Sequence, residues 1–123
     1  MSLRRRHLFA LTAMCVLGTA PYTMAQGFPT KPVTMVVPFA PGGPTDAMAR
    51  TLAAAVKLSQ PVIVENKPGA GGNLGAEAVA RADKDGHTLL FGTSGPLAIN
   101  VSLYKKQGYN PETSFAPIIR IGH

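Results

Sequence analysis

The chain has 123 residues, is 46% apolar and only 15% charged, and carries a formal charge of +6 at neutral pH. Three of those charges are Arg4, Arg5 and Arg6. From Gln26 onward nine basic residues face six acidic ones, about +3, with dispersed lysines and little aromatic interleaving, so no nucleic-acid partner is expected. The single cysteine, Cys15, lies in the leading stretch, so the rest of the chain has no thiol or disulfide and must rely on its apolar core.

Residues 1–25 read as an export signal. A basic start precedes a short apolar run, Leu8 to Ala20, and Thr23-Met24-Ala25 offers small residues for cleavage after Ala25. The run is too short, and too soon followed by Pro21, for a membrane span. Arg5-Arg6 fits a twin-arginine signal loosely. Met14 and Thr12 do not suit a lipoprotein cysteine at Cys15. A periplasmic chain of residues 26–123 is expected.

The first element after the leader is a strand, Val33 to Val37, interrupted only by Thr34 and therefore suited to burial on both faces. A Gly-Pro break follows. Met48, Leu52, Ala55 and Val56 then recur at helical spacing, with Pro44 placed for the first turn and Asp46 facing the positive helix end. "QPVIVEN" predicts a second strand, ended by Asn66-Lys67-Pro68-Gly69. A second helix starts near Asn73, with Leu74, Ala78, Val79 and Ala82 on one side. Asp85-Gly86 turns the chain into a third strand, "HTLLFG", and Pro96 opens a short helix. Residues 104–115 are polar and irregular, and "APIIRIG" predicts a fourth strand. Strands alternating with helices imply an α/β fold with a mainly parallel sheet.

Ligands of open α/β sheets bind beyond the carboxyl ends of the strands, where three glycine-bearing loops fall. Glycine permits close backbone approach, and a helix start leaves N–H groups free for an anion. The candidate ligand contacts are Phe39, Ala40, Gly42, Gly43, Thr45 and Asp46 in the first loop, Gly71, Gly72 and Asn73 in the second, and Thr93 and Ser94 in the third. A side chain at Gly43 is expected to enter this cradle or to force an unfavourable φ. Tight βα turns would use the same glycines without any ligand.

No Lys-Thr or Lys-Ser follows the glycines, so a nucleotide phosphate loop is not indicated. Gly69-x-Gly71-x-x-x-Gly75 departs from dinucleotide spacing, and the next strand lacks the acidic residue that would hold a ribose. Metal-ligand spacing is absent, and no cofactor is implied. His87, after the Asp-Gly turn, is expected at the surface, and Asp83 and Asp85 are expected to be solvated. Ser94 is not in a G-x-S-x-G turn. A secreted α/β enzyme with a Gly-loop anion site is the competing reading.

Three motifs in combination carry a resemblance: PF-x-x-GG-x-x-D at Pro38 to Asp46, EN-x-PGAGG-N-x-G at Glu65 to Gly75, and DG-x-TLL-x-GTSG at Asp85 to Gly95. The stretch from Phe28 to Ile121 resembles the substrate receptors of tripartite tricarboxylate transporters, the Bug family. The resemblance implies part of a type II periplasmic-binding-protein lobe, with the second lobe absent. It also implies a small carboxylate ligand held through backbone amides, hydroxyls and waters, with Asp46 capping the helix behind the loop. The membrane components of such a transporter are the implied partner. The sequence departs from the family at Ser59, where a glycine is usual, and at Val101, where proline is common. The family continues well past His123, so a fragment that does not bind alone is expected.

Overall fold

The computed structural model describes residues 27–122, so the expected leader lies outside the described residues. Three parallel strands, β1 (Val33–Val37), β2 (Val62–Asn66) and β3 (Thr88–Leu90), form a sheet in the order β2-β1-β3. Val33 pairs with Val62 and Val37 with Asn66 on one side of β1, and Thr34 pairs with Thr88 and Val36 with Leu90 on the other. The central strand is the one with the nearly unbroken apolar run. Its Val33, Val36 and Val37 are each at most 1% exposed, as burial on both faces requires.

Side chains alternate across the pleat. Met35 and Val37 pack with Ala49 of α1 (Pro44–Ala55), with Phe39, Leu52, Val62, Val64 and Phe91 around them. The other face is covered by α2 (Asn73–Arg81), which lies against β1 and β3 and buries Ala76 and Val79. Pro44 opens α1 and Asp46 lies in its first turn, as the spacing predicts.

The packed faces differ from the expected ones. In α1, Met48 is half exposed, Ala55 and Val56 are exposed, and Asp46 and Ala49 are buried. Leu52 packs against the core as expected, but the buried Asp46 network described below, not Met48, sets the rest of the face. In α2, Leu74 is exposed and the buried residues are Asn73, Gly75, Ala76 and Val79. Small residues let the helix approach the sheet. α1 ends with Val56 in an ordinary extended conformation (φ −74°), so no left-handed glycine cap is needed there. Ser59 instead donates its hydroxyl proton to the carbonyl of Pro29 (3.2 Å).

The expected fourth strand does not form among the described residues. Residues 116–122 have no strand beside them to complete a ladder, and Ile118 and Ile119 are each 76% exposed. Strand character needs a partner as well as β-branched residues.

His87 is buried, contrary to the surface position expected for it. Its Nε2 accepts the Thr30 N–H (3.2 Å), so the neutral ring carries its proton on Nδ1, which donates to the Asp85 carbonyl (3.1 Å). The Phe28 ring lies 4.9 Å from the imidazole. Asp85 is exposed, as expected, and is also anchored: it pairs with Lys31 (2.8 Å) and accepts the His87 N–H (3.0 Å). These contacts bind residues 28–31 to the start of β3.

Candidate ligand-binding site

All three loops leave the carboxyl ends of the strands, and they meet at Gly72. A Cβ placed there would lie 3.2 Å from the Pro96 ring of the third loop and 3.4 Å from the Phe39 ring of the first. The second loop reaches this point through an unusual run: Gly69, Ala70, Gly71 and Gly72 all have positive φ (133°, 49°, 62° and 95°). Three glycines in four residues are what such a path requires. Ala70 takes it as an L-residue, which is strained backbone at the centre of the candidate site.

The first loop is shaped by a polar cluster around the buried Asp46. The Asp46 carboxylate accepts the Gly42 N–H (2.9 Å) and Arg50 Nε–H (2.9 Å) on Oδ2, and Asn66 Nδ2–H (3.0 Å) on Oδ1. Asn66, closing β2, also donates to the Phe39 carbonyl (3.1 Å) and accepts from Arg50 Nη2 (3.1 Å). The N-cap of α1 is Gly43, without a side-chain cap. Asp46 therefore reaches back beyond the cap to fasten the loop, and it does not offer its carboxylate to a ligand.

A second cluster joins the other two loops. Asn73 Oδ1 accepts Asn100 Nδ2–H (2.6 Å) and faces the Tyr109 hydroxyl (3.0 Å) and Gln107 Nε2 (3.4 Å). Asn100, which begins the short helix α3 (Asn100–Leu103) after a π-type turn at Gly95–Ile99, also donates to the Gly71 carbonyl (3.1 Å). Tyr109 has one proton for two acceptors, and its 2.6 Å contact with the Pro96 carbonyl is the shorter. Burial raises the Tyr109 pKa, which keeps that proton in place.

The candidates thus separate by role. Asp46 and Asn73 are buried and committed to protein partners, and Phe39 and Gly72 form the junction. Gly42 gives its N–H to Asp46, and Gly72 gives its own to the Gly69 carbonyl (2.9 Å). Ala40, Gly71 and Ser94 are exposed, and Gly43, Thr45 and Thr93 partly so. Pro44 has no N–H, and Thr45 and Asp46 have no acceptor within the helix, so the start of α1 keeps free donors. Among the described residues no hydrogen bond joins Gly43 or Thr45 to Thr93 or Ser94. The expectation for Gly43 needs correction in its backbone half. Its φ is −80°, open to any residue, and a Cβ would meet only the Ala40 carbonyl at 3.8 Å. The strained glycine of this loop is Gly42, at φ +85°.

Sequence reasoning missed Arg50, Asn66, Asn100 and Tyr109. Only the Asp46–Arg50 spacing of four was a usable signal.

The carboxylates give the protein an acid limit. Hydrogen bonding to Arg50, Gly42 and Asn66 holds Asp46 far below the usual range, and Lys31 and the His87 N–H hold Asp85 at about 2. Both folded values lie below the unfolded one, so the stabilisation is complete only above the unfolded value, by about pH 5, and is lost progressively below it, through about 2 for Asp85 and at still lower pH for Asp46. The thermal midpoint should be flat above about pH 5 and fall steeply below about pH 4. Asp46→Asn should flatten that fall in a pH series of melting curves. An unchanged slope would show that the carboxylate carries no such linkage.

With the fold and loops in place, comparison with known proteins decides the family. Residues 47–123 match the tripartite tricarboxylate transporter family receptor (TctC). Protein BugT of Bordetella pertussis is 43% identical over 85% of this chain and 33% of its own length. The chain belongs to the tripartite tricarboxylate transporter receptor family. MatC from Rhodopseudomonas palustris, solved with bound malate, is 50% identical, with a TM-score of 0.69 over 73% of this chain and 31% of that one. R. palustris Rpa4515, solved with adipate, is 42% identical, with a TM-score of 0.68 over 71% and 30%. The three-stranded parallel sheet with its helices is therefore part of a periplasmic-binding-protein fold, and this receptor-family chain spans about a third of the length of its relatives.

Proposed function

We propose that the chain is part of a periplasmic receptor, not an enzyme, that holds a small carboxylate between two lobes and delivers it to the membrane components of a tripartite tricarboxylate transporter. The observation that carries this reading is the pair of solved relatives, 50% and 42% identical, that hold malate and adipate. The loop chemistry agrees. The basic side chains nearest the loops are engaged, Arg50 by Asp46 and Lys67 by Glu65 (2.7 Å). A carboxylate would therefore be taken by N–H groups at the start of α1 and by the hydroxyls of Thr45, Thr93 and Ser94, with Ala40, Gly43 and Gly71 leaving room for it. These residues are the proposed contacts. They form one wall, and the 123-residue chain alone is expected to bind much more weakly than a relative of full length.

Mass spectrometry of small molecules released from periplasmic protein, followed by calorimetric titration with malate, adipate and an amine control, tests the reading. Retention of a carboxylate is expected of protein that supplies both lobes, and at most weak binding of the 123-residue chain, with little effect of Lys67→Ala. Chemical turnover of the bound molecule, or preference for the amine, would overturn it. Amino-terminal sequencing of the same material should begin at Gln26, since the proposed leader is cleaved after Ala25. Intact Met1 in soluble protein would contradict export.

A further inference from the structure

We propose that Asn66 is the positioning residue of the first loop: by holding the Phe39 carbonyl and Asp46 together, it ties down one backbone acceptor of that loop and fixes the turn that leads into the donors at the start of α1. The inference rests on the reading that this loop receives a carboxylate. A loop backbone alternates N–H and C=O groups, and an anion is attracted by the first and repelled by the second. Here the Phe39 carbonyl is occupied by Asn66 Nδ2–H at 3.1 Å. The second proton of the same amide goes to Asp46 Oδ1 at 3.0 Å, and Asn66 Oδ1 takes Arg50 Nη2–H at 3.1 Å.

The amide can sit only this way round. Flipped, it would set its oxygen against the Asp46 carboxylate and the Phe39 carbonyl, and its NH₂ against the Arg50 guanidinium. The anchor is also rigid, because Asn66 lies in β2 and is paired in register with Val37, two residues before Phe39. Arg50 completes the set by binding both Asp46 and Asn66. Asp46 in turn takes the Gly42 N–H, so the turn from Phe39 to Gly42 is held at both ends.

The test uses an isosteric inversion. Asn66→Asp removes both donors, so the Phe39 carbonyl loses its partner and two carboxylates meet. The double variant N66D/D46N restores a donor–acceptor pair between positions 66 and 46 with the roles exchanged, yet leaves the Phe39 carbonyl without a donor. The protein is labelled at phenylalanine carbonyls, and its carbonyl resonances, its melting temperature and its affinity for succinate and glutarate are measured. The Phe39 carbonyl resonance should move upfield in the single and in the double variant, while the melting temperature returns in the double. Affinity should fall about tenfold in the single and stay low in the double. Recovery of affinity together with stability would reduce Asn66 to a structural role and overturn the proposal. So would an unmoved Phe39 resonance. Should Asn66→Asp fail to fold, Asn66→Ala and the double variant give the same reading. Should the 123-residue chain bind neither acid, as a single wall of the site allows, the carbonyl resonance and the melting temperatures decide whether Asn66 sets the loop, and an unmoved Phe39 resonance overturns the proposal.

Discussion

Gly75→Ala is expected to destabilise the protein, although alanine is the best helix former and position 75 lies inside α2. The reason is the close approach of this helix to the end of β1. A Cβ at Gly75 would fall 2.8 Å from both Cα and Cβ of Pro38 and 2.9 Å from the Lys67 carbonyl oxygen. Two of these atoms are backbone, so no rotamer change relieves the clash. Overpacking of this kind costs about 1–3 kcal/mol, and the propensity gain offsets about 1 kcal/mol of it. A net loss of up to about 2 kcal/mol should appear as a lower urea midpoint with an unchanged slope. Gly75→Val should do worse. A variant as stable as its parent would mean that α2 does not lie so close to Pro38.

The second large effect is expected at the junction of the loops. Gly72→Ala and Gly42→Ala both place an L-residue at positive φ, +95° and +85°, at a cost of about 1–2 kcal/mol each. Gly42 has open space around its missing Cβ, whereas Gly72 faces Pro96 at 3.2 Å and Phe39 at 3.4 Å. Gly72→Ala should therefore cost the conformational term plus a packing term, and should spread all three loops at once. The proposed carboxylate binding should weaken together with stability. Gly42→Ala should lower stability by the smaller amount. Equal losses in paired denaturation curves would show that the loops do not converge at Gly72.

How much of this was readable depended on the range of the interaction. β1 announced itself through Val33, Val36 and Val37, because continuous apolar residues in a short run between turn residues have few other uses. Pro44 and the paired glycines marked the helix starts for local steric reasons. The buried faces of α1 and α2 were readable only at Leu52 and Val79; the rest is set by close approach at Ala49, Gly75 and Ala76, while Met48 and Leu74 lie outside. Asn66 reaches residues 20 and 27 positions away, and Asn73 is met by residues 27 to 36 positions away. An amide both donates and accepts, so its spacing from other polar residues carries no signature of which partner it will find. "APIIRIG" failed for the opposite reason: its composition suits a strand, but pairing is supplied by another segment.

The order β2-β1-β3 sets a sequence of events for a newly made polypeptide. The strand that ends in the middle of the sheet is the one synthesised first. One of its edges stays bare until residues 62–66 have emerged, and the other until residues 88–90 have followed. Both backbone edges of this apolar stretch are open to any other extended segment until residues 62–66 arrive, and one stays open until residues 88–90 follow. No local hairpin can shield it, since parallel pairing needs the intervening helix to be complete. The chain is thus at its most association-prone early in its synthesis, and that exposure ends abruptly when Leu90 takes its place beside Val36.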